Sequence, residues 1–209
     1  MKAETGPPAD PPKKTGRPRS FDRDAALERA MLIFWRYGYE ATSLNELTTA
    51  MGITPPSLYS AFGDKEHLFL EAVERYLAGP GGAHEGIFAD APTAREAIER
   101  LLEATAIEQT RTCHPPGCLV VTAALNCSPA SAHVEAALVK LRKAVQIRIR
   151  ARIERGVCEG DLPADTDPGA LATFYVVVTQ GMAIHARDGA SRKTLRAIAT
   201  QAMRAWPAN

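Results

Sequence analysis

Gly52 is the residue that most restricts what this chain can fold into. It sits between two short, separately capped stretches of TSLNELTTAMGITPPSLYSAFGDK, residues 42–65. Before it, Leu44, Leu47 and Met51 recur at three- and four-residue steps, which places them on one face of a helix. Ser43 opens that helix, and with Glu46 it forms a capping box that satisfies orphan backbone donors at the start. Gly52 then supplies the left-handed conformation that closes a helix and turns the chain. Beyond it, Thr54 is the N-cap of a second helix, Pro55 occupies the first helical position, where its missing N–H costs nothing, and Leu58 points inward with Ile53. Gly63 ends this helix, and Asp64 caps a third that begins at Lys65.

The outer face of the second helix carries Thr54, Ser57, Tyr59 and Ser60, hydroxyls able to bond bases or phosphates. Helix, tight turn and helix is a geometry that a DNA major groove of about 12 Å admits. Pro55 and Pro56 stand where polar base readers could stand, so readout there is restricted to apolar contact, such as with a thymine methyl. Pro56 also disfavours a helical conformation at Pro55, which strains the expected first turn.

From Gly16 to about Tyr76 the chain resembles the TetR family of bacterial transcription regulators. The tracts that carry the resemblance are FDRDAALERAMLIFWRYGYEATSLNEL and MGITPPSLYSAFGDKEHLF. Their most specific parts are the Gly-Tyr-Glu-Ala-Thr-Ser corner at 38–43, Leu-Tyr at 58–59 and Phe-Gly-Asp-Lys-Glu at 62–66. The resemblance implies that Thr42, Tyr59 and Lys65 meet phosphates and that the exposed face of residues 54–60 meets bases. Ser43, at the start of the motif, belongs to the same expected surface. It further implies a homodimer whose last two long helices build a four-helix interface, a palindromic double-stranded operator and a small-molecule effector.

The whole chain has 209 residues, 45% of them hydrophobic, enough for an ordinary globular core. Its net charge of +1 provides no global attraction for nucleic acid, so DNA affinity has to come from local placement of charge. Residues 1–20 are rich in Pro and Gly and nearly devoid of large apolar groups. Lys13, Lys14, Arg17 and Arg19 nevertheless lie there without an intervening acid. That segment reads either as a solvated tail or as an arm reaching the adjacent minor groove with Arg17 and Arg19, and its position beside the first helix favours the arm.

The expected fold is all-α: a basic arm at 1–20, a three-helix DNA-binding domain at 21–78 with a helix-turn-helix at about 43–62, and a helical ligand-binding and dimerisation domain at 79–209. Asp22 caps the first helix, which runs to Tyr37 with Leu27, Ala30, Met31 and Phe34 on one face and Trp35 and Tyr39 read as core. A helix from Asp64 to about Ala78 links the two domains, and Gly79 to Pro92 reads as a loop. Further helices are expected over 93–111, 117–126, 130–157, 168–187 and 191–206. The 130–157 helix has Lys140, Arg142, Lys143, Arg148, Arg150, Arg152 and Arg155 on a side read as solvated. The 168–187 helix is apolar nearly all round and needs cover, for which a second copy of the chain is the natural source.

The longest apolar run, around Phe174 to Val178, is shorter than a bilayer requires, and four cysteines without a leader sequence suit a reducing cytoplasm. Cys113, His114, Cys118, Cys127 and His133 form a tempting metal or redox constellation. Their spacing lacks a paired knuckle, however, so packing is favoured and no metal or cofactor is expected. A thiol- or metal-sensing protein acting through Cys113, Cys118 and Cys127 is kept as the alternative. No nucleophile-and-base set or cofactor loop can be assembled, which argues against an enzyme. Gln109, Cys118, Thr122, Phe174, Tyr175 and His185, polar or aromatic residues on otherwise apolar helices, are the candidate effector contacts.

Overall fold

The computed structural model describes residues 21–82, 84 and 86–208, and among these every regular element is helical. The sequence supplies the helix starts. Asp22 accepts from the backbone N–H groups of Asp24 and Ala25 at the head of α1 (Arg23–Tyr37). Ser43 and Glu46 complete the capping box of α2 (Leu44–Met51), with the Ser43 N–H donating to the Glu46 carboxylate over 2.7 Å. Thr54 caps α3 (Pro55–Phe62), and Asp64 caps α4 (Lys65–Ala78). The strain expected from Pro56 does not delay α3, whose helical conformation begins at Pro55, the one turn of a helix in which a missing N–H is harmless.

The segment after α4 is more ordered than a loop. It contains a 3₁₀ turn at Pro80–Gly82 and a single-turn α5 (Ile87–Asp90). There follow α6 (Ala94–Glu108), α7 (Leu119–Thr122), a 3₁₀ turn at Pro129–Ser131, α8 (Ala132–Cys158), α9 (Pro168–Arg187) and α10 (Arg192–Met203). The helix expected over 117–126 is therefore one turn long. Gly117, with φ 83° and its N–H bonded to the Gln109 carbonyl, delays its start. Downstream, Glu40 accepts from the Ser128 N–H and hydroxyl and draws the chain away.

Two apolar cores form. The first joins Phe34, Trp35, Leu47, Leu58, Phe69 and Tyr76. It does not stop at residue 78: Leu119, Val120, Ala123, Val134 and Leu138 are part of it. The second joins Ile98, Leu102, Ile149, Ile153, Tyr175, Met182 and Leu195. Each such side chain, fully buried, stabilises the fold by about 1.5–3 kcal/mol. The Arg196–Glu103 pair between α10 and α6 is about half exposed and contributes at most roughly 1 kcal/mol, so burial of Leu195 and Ala199 is what seats α10.

The long α8 spans both cores, with Val134 and Leu138 in the first and Ile149 and Ile153 in the second. Its supposed solvated side is only partly so. Arg152 is 3% exposed and donates to the Ala91 carbonyl, and Arg142 donates to the Val120 carbonyl over 2.8 Å. Backbone carbonyls without helical partners draw these two cations inward, which charge patterning cannot reveal. The 20-residue α9 has a mean hydropathy of 1.3 over its most apolar window, which by length and composition alone is enough to cross a bilayer. Tyr175, Met182 and Ala183 on it are nonetheless wholly buried among the other helices.

Candidate nucleic-acid interface and effector cavity

The α2–α3 unit is built from the inside. Leu47, Met51, Leu58 and Phe62 are buried, and Gly52, at φ 70° and ψ 35°, turns the chain between the helices. Two long-range arginine contacts, invisible in local sequence pattern, hold this unit against α1. Arg29 donates to the Met51 carbonyl at the end of α2. Arg23 donates to the Ala61 carbonyl, pairs with Glu71 at 2.6 Å and lies 4.4 Å over the Phe62 ring. No periodicity signals residues separated by 22 and 38 positions.

What α3 turns outward is Thr54, Pro55, Pro56, Tyr59 and Ser60, all exposed, with Ser57 half-buried behind them. Thr54 Oγ1 lies 3.0 Å from Ser57 Oγ, so the capping residue also orients the serine. Ser43 is exposed with its hydroxyl engaged by Glu46. Thr42 faces the other way. It is 1% exposed, and its hydroxyl donates to the Gly38 carbonyl over 2.6 Å, closing the 38–43 corner from within. Lys65 lies with its Nζ 4.4 Å over the Tyr39 ring, and partial burial lowers its pKa against the pull of Glu40 and Glu46. Arg17 and Arg19 lie outside the described residues.

A cavity of about 220 Å³ lies where the two cores meet. Its wall includes Tyr76 of α4, Glu108 and Gln109 at the end of α6, Cys118 and Val120 before and within α7, and Val145 of α8. Of the six sequence candidates for effector contact, Gln109 and Cys118 line it. Thr122 is outside, its hydroxyl bonded by Arg187. Tyr175 is in the second core with its hydroxyl donating to the Ala202 carbonyl, and Phe174 and His185 face solvent. Helical spacing alone does not say which side of a helix meets a void. His84 and Glu108, which also line the cavity, carry no signal in the sequence that marks them as contacts.

One wall of the cavity touches the helices that carry the α2–α3 unit directly. Tyr76 donates its hydroxyl to the Cys118 thiol over 3.2 Å and meets the edge of Trp35, with ring centres 4.7 Å apart. Trp35 also stacks on His114 at 4.3 Å, and His114 Nε2 is 3.0 Å from a Glu108 carboxylate oxygen. A connected set of buried rings thus runs from the cavity to α1. Around it, the Tyr39 N–H donates to the Ala123 carbonyl, and Arg187 of α9 donates to the Arg36 carbonyl.

The cysteines do not assemble into the alternative centre. Among the described residues no three His, Cys, Asp or Glu side chains are grouped to hold a metal ion. His114 has both ring nitrogens engaged, with Pro115 and Glu108, while His133 pairs with Glu66. Cys113 is exposed, whereas Cys118 is half-buried, and desolvation pushes its thiol pKa up, away from the reactive thiolate.

Two family models match the chain: the N-terminal domain of bacterial regulatory proteins of the tetR family over residues 26–72, and a tetracyclin repressor-like C-terminal domain over residues 94–203. The HTH-type transcriptional repressor ComR of Escherichia coli (strain K12) is 38% identical over 200 residues, covering 93% of both chains. Among solved structures, a cysteine mutant of the TetR family transcriptional regulator CifR, complexed with 26-bp double-strand operator DNA, is 49% identical. It superposes with a TM-score of 0.88, covering 91% of this chain and 100% of that one. A TetR transcriptional regulator from Rhodococcus sp. RHA1 is 36% identical with a TM-score of 0.58, covering 88% of this chain and 98% of that one.

Proposed function

The chain belongs to the TetR family of bacterial regulatory proteins, and from that premise we propose that it is a homodimeric transcriptional repressor that binds a palindromic operator and is released by a small molecule. The family is one of DNA-binding regulators and not of enzymes, and it works in the cytoplasm. The observation that carries the reading is the exposed polar face of α3, held on a rigid α2–Gly52–α3 turn. Residues 21–78 act as the DNA-binding domain and residues 79–209 as the effector and dimer domain, joined through the first core.

In this reading Tyr59 and Lys65 meet phosphates. Ser57, Ser60 and Thr54 approach base edges, and Pro55 and Pro56 offer apolar contact. Ser43 sits at the phosphate-facing end of α2. Thr42 serves the interface through the corner it closes, since its hydroxyl is committed to Gly38. Arg17 and Arg19 extend contact to the minor groove. Neutralising phosphates releases counterions, so the logarithm of affinity falls linearly with that of salt.

An effector releases the operator by binding the DNA-free conformation more tightly, because a ligand without that preference shifts nothing. The cavity is well placed for this, since Tyr76 belongs both to its wall and to the helix that carries Lys65. The exposed apolar stripe of Phe174, Val177 and Ile184 on α9, with open space at Gly181, receives the partner copy. Two-fold symmetry of such a dimer requires two-fold symmetry of the operator.

The test is fluorescence anisotropy with DNA fragments from the protein's own promoter region at several salt concentrations. Palindrome-selective, salt-dependent binding is the expected result. Weak binding indifferent to sequence and salt overturns the proposal.

A further inference from the structure

The cavity beside α4 has a wall whose chemistry specifies its ligand, given that the protein is an effector-released repressor. An apolar cavity of about 150 Å³ accepts benzene, so 220 Å³ filled to ordinary interior density takes roughly eight to ten non-hydrogen atoms. Five of the ten polar side chains that line the wall are already committed. Tyr76 bonds Cys118, Arg142 bonds the Val120 carbonyl, Thr179 bonds the Val176 carbonyl, and Glu108 is shared by His114 and Arg111.

Two buried polar atoms of the wall have no partner among the described residues. They are Gln109 Oε1, on a side chain that is 7% exposed, and His84 Nδ1. Burial lowers the pKa of His84 and keeps its ring neutral. A buried polar atom without a partner costs about 1–3 kcal/mol, which a bound molecule carrying the complementary group recovers.

The charge on the wall narrows that group. A carboxylate would meet Arg148, but it is acceptor-only, so it leaves Gln109 Oε1 without a donor and faces the Glu108 carboxylate. An ammonium donates to Gln109 Oε1, but Glu108 is already shared by His114 and Arg111, and Arg142 and Arg148 oppose its charge. A hydroxyl both donates and accepts, so it satisfies a terminal amide in either orientation and a neutral imidazole in either tautomer. We propose that the effector is a small uncharged alcohol or phenol of roughly eight to ten non-hydrogen atoms, its hydroxyl bonded to Gln109 and its body against the apolar wall that Val120 and Val145 help to form. His84 supplies the second polar contact.

The experiment uses the full-length protein and three size-matched probes, 2-phenylethanol, n-propylbenzene and phenylacetate. Binding is followed by calorimetry, and operator binding by anisotropy in the same samples. The expected order is 2-phenylethanol tighter than n-propylbenzene by about tenfold, the factor supplied by one buried hydrogen bond, with phenylacetate weakest. In Gln109→Leu the preference for the alcohol collapses while n-propylbenzene still binds, which shows that the variant is folded. Phenylacetate binding tightest, equal binding of alcohol and hydrocarbon, or an unchanged preference in Gln109→Leu each overturns the assignment. Failure of all three probes with selective operator binding intact overturns the alcohol class and leaves the regulator standing, whereas loss of operator selectivity in the unliganded protein overturns both.

Discussion

At the scale of single residues, the interface combines side chains that hold shape with side chains free to meet DNA. Thr54 belongs to the first kind through its N-cap bond and to the second through its contact with Ser57. Thr54→Ala should cost about 1 kcal/mol of stability, read from urea unfolding. Tyr59→Ala should weaken binding to every operator variant alike, whereas Ser57→Ala should alter preference at one base pair. Anisotropy against a set of single-base operator variants separates the two, and uniform losses for Ser57→Ala would remove it from base readout. Asp64 and His67 make a pH-dependent cap at the start of α4. Hydrogen bonding to the His67 N–H and ring holds the Asp64 pKa below its ordinary 3.8, so its stabilisation is present above that pH and is lost as pH falls through the lowered value. The same contact raises the His67 pKa above 6.5, so its part is complete below 6.5 and is lost as pH rises through the raised value. Asp64→Asn should flatten both limbs of the stability–pH curve measured by thermal unfolding.

At the scale of elements, α4 connects the DNA-binding surface to the cavity. Its start carries Asp64 and Lys65, and its end carries Tyr76. The Pro80–Gly82 turn folds over Tyr76 so closely that a Cβ on Gly81 would clash with the ring. Gly81→Ala should therefore displace the Tyr76 ring and disturb the edge contact with Trp35. In a Trp206→Phe background Trp35 is the remaining tryptophan, and a shifted emission spectrum there is the expected signal; an unchanged spectrum would show that the turn yields instead. The α2–α3 unit depends similarly on Arg23, whose guanidinium ties the end of α3 to α4 through Ala61 and Glu71. Arg23→Met keeps the apolar stem and removes those bonds. It should weaken operator binding more than it lowers the unfolding midpoint.

For the whole molecule, the unpartnered stripe on α9 is the feature that one chain cannot explain. Val177 is 61% exposed on a helix whose opposite face, with Ala172, Tyr175 and Met182, is core. Val177→Asp places a charge in the proposed interface and should yield monomers by sedimentation. Each head then binds alone, and the second contact loses its high local concentration, so operator affinity should fall by roughly 10²–10⁴-fold. A dimer that persists in Val177→Asp would move the interface elsewhere.

Sequence alone determined the elements that are locally specified. Ser43, Gly52, Thr54, Gly63 and Asp64 act on backbone groups within a few positions, so the helix-turn-helix was legible from caps and spacing, and the family with it. The cavity was decided only by the tertiary structure. Helical periodicity distinguishes apolar from polar faces but not a face against a core from a face against a void, so of the six expected contacts Gln109 and Cys118 line the cavity while Thr122, Phe174, Tyr175 and His185 lie away from it. The inward turn of Thr42, the burial of Arg152 and the reach of Arg23 to α4 likewise depend on which carbonyls and carboxylates arrive from distant segments. Local pattern encodes what a residue does to its own helix. What a residue touches across the fold is set by how the helices pack.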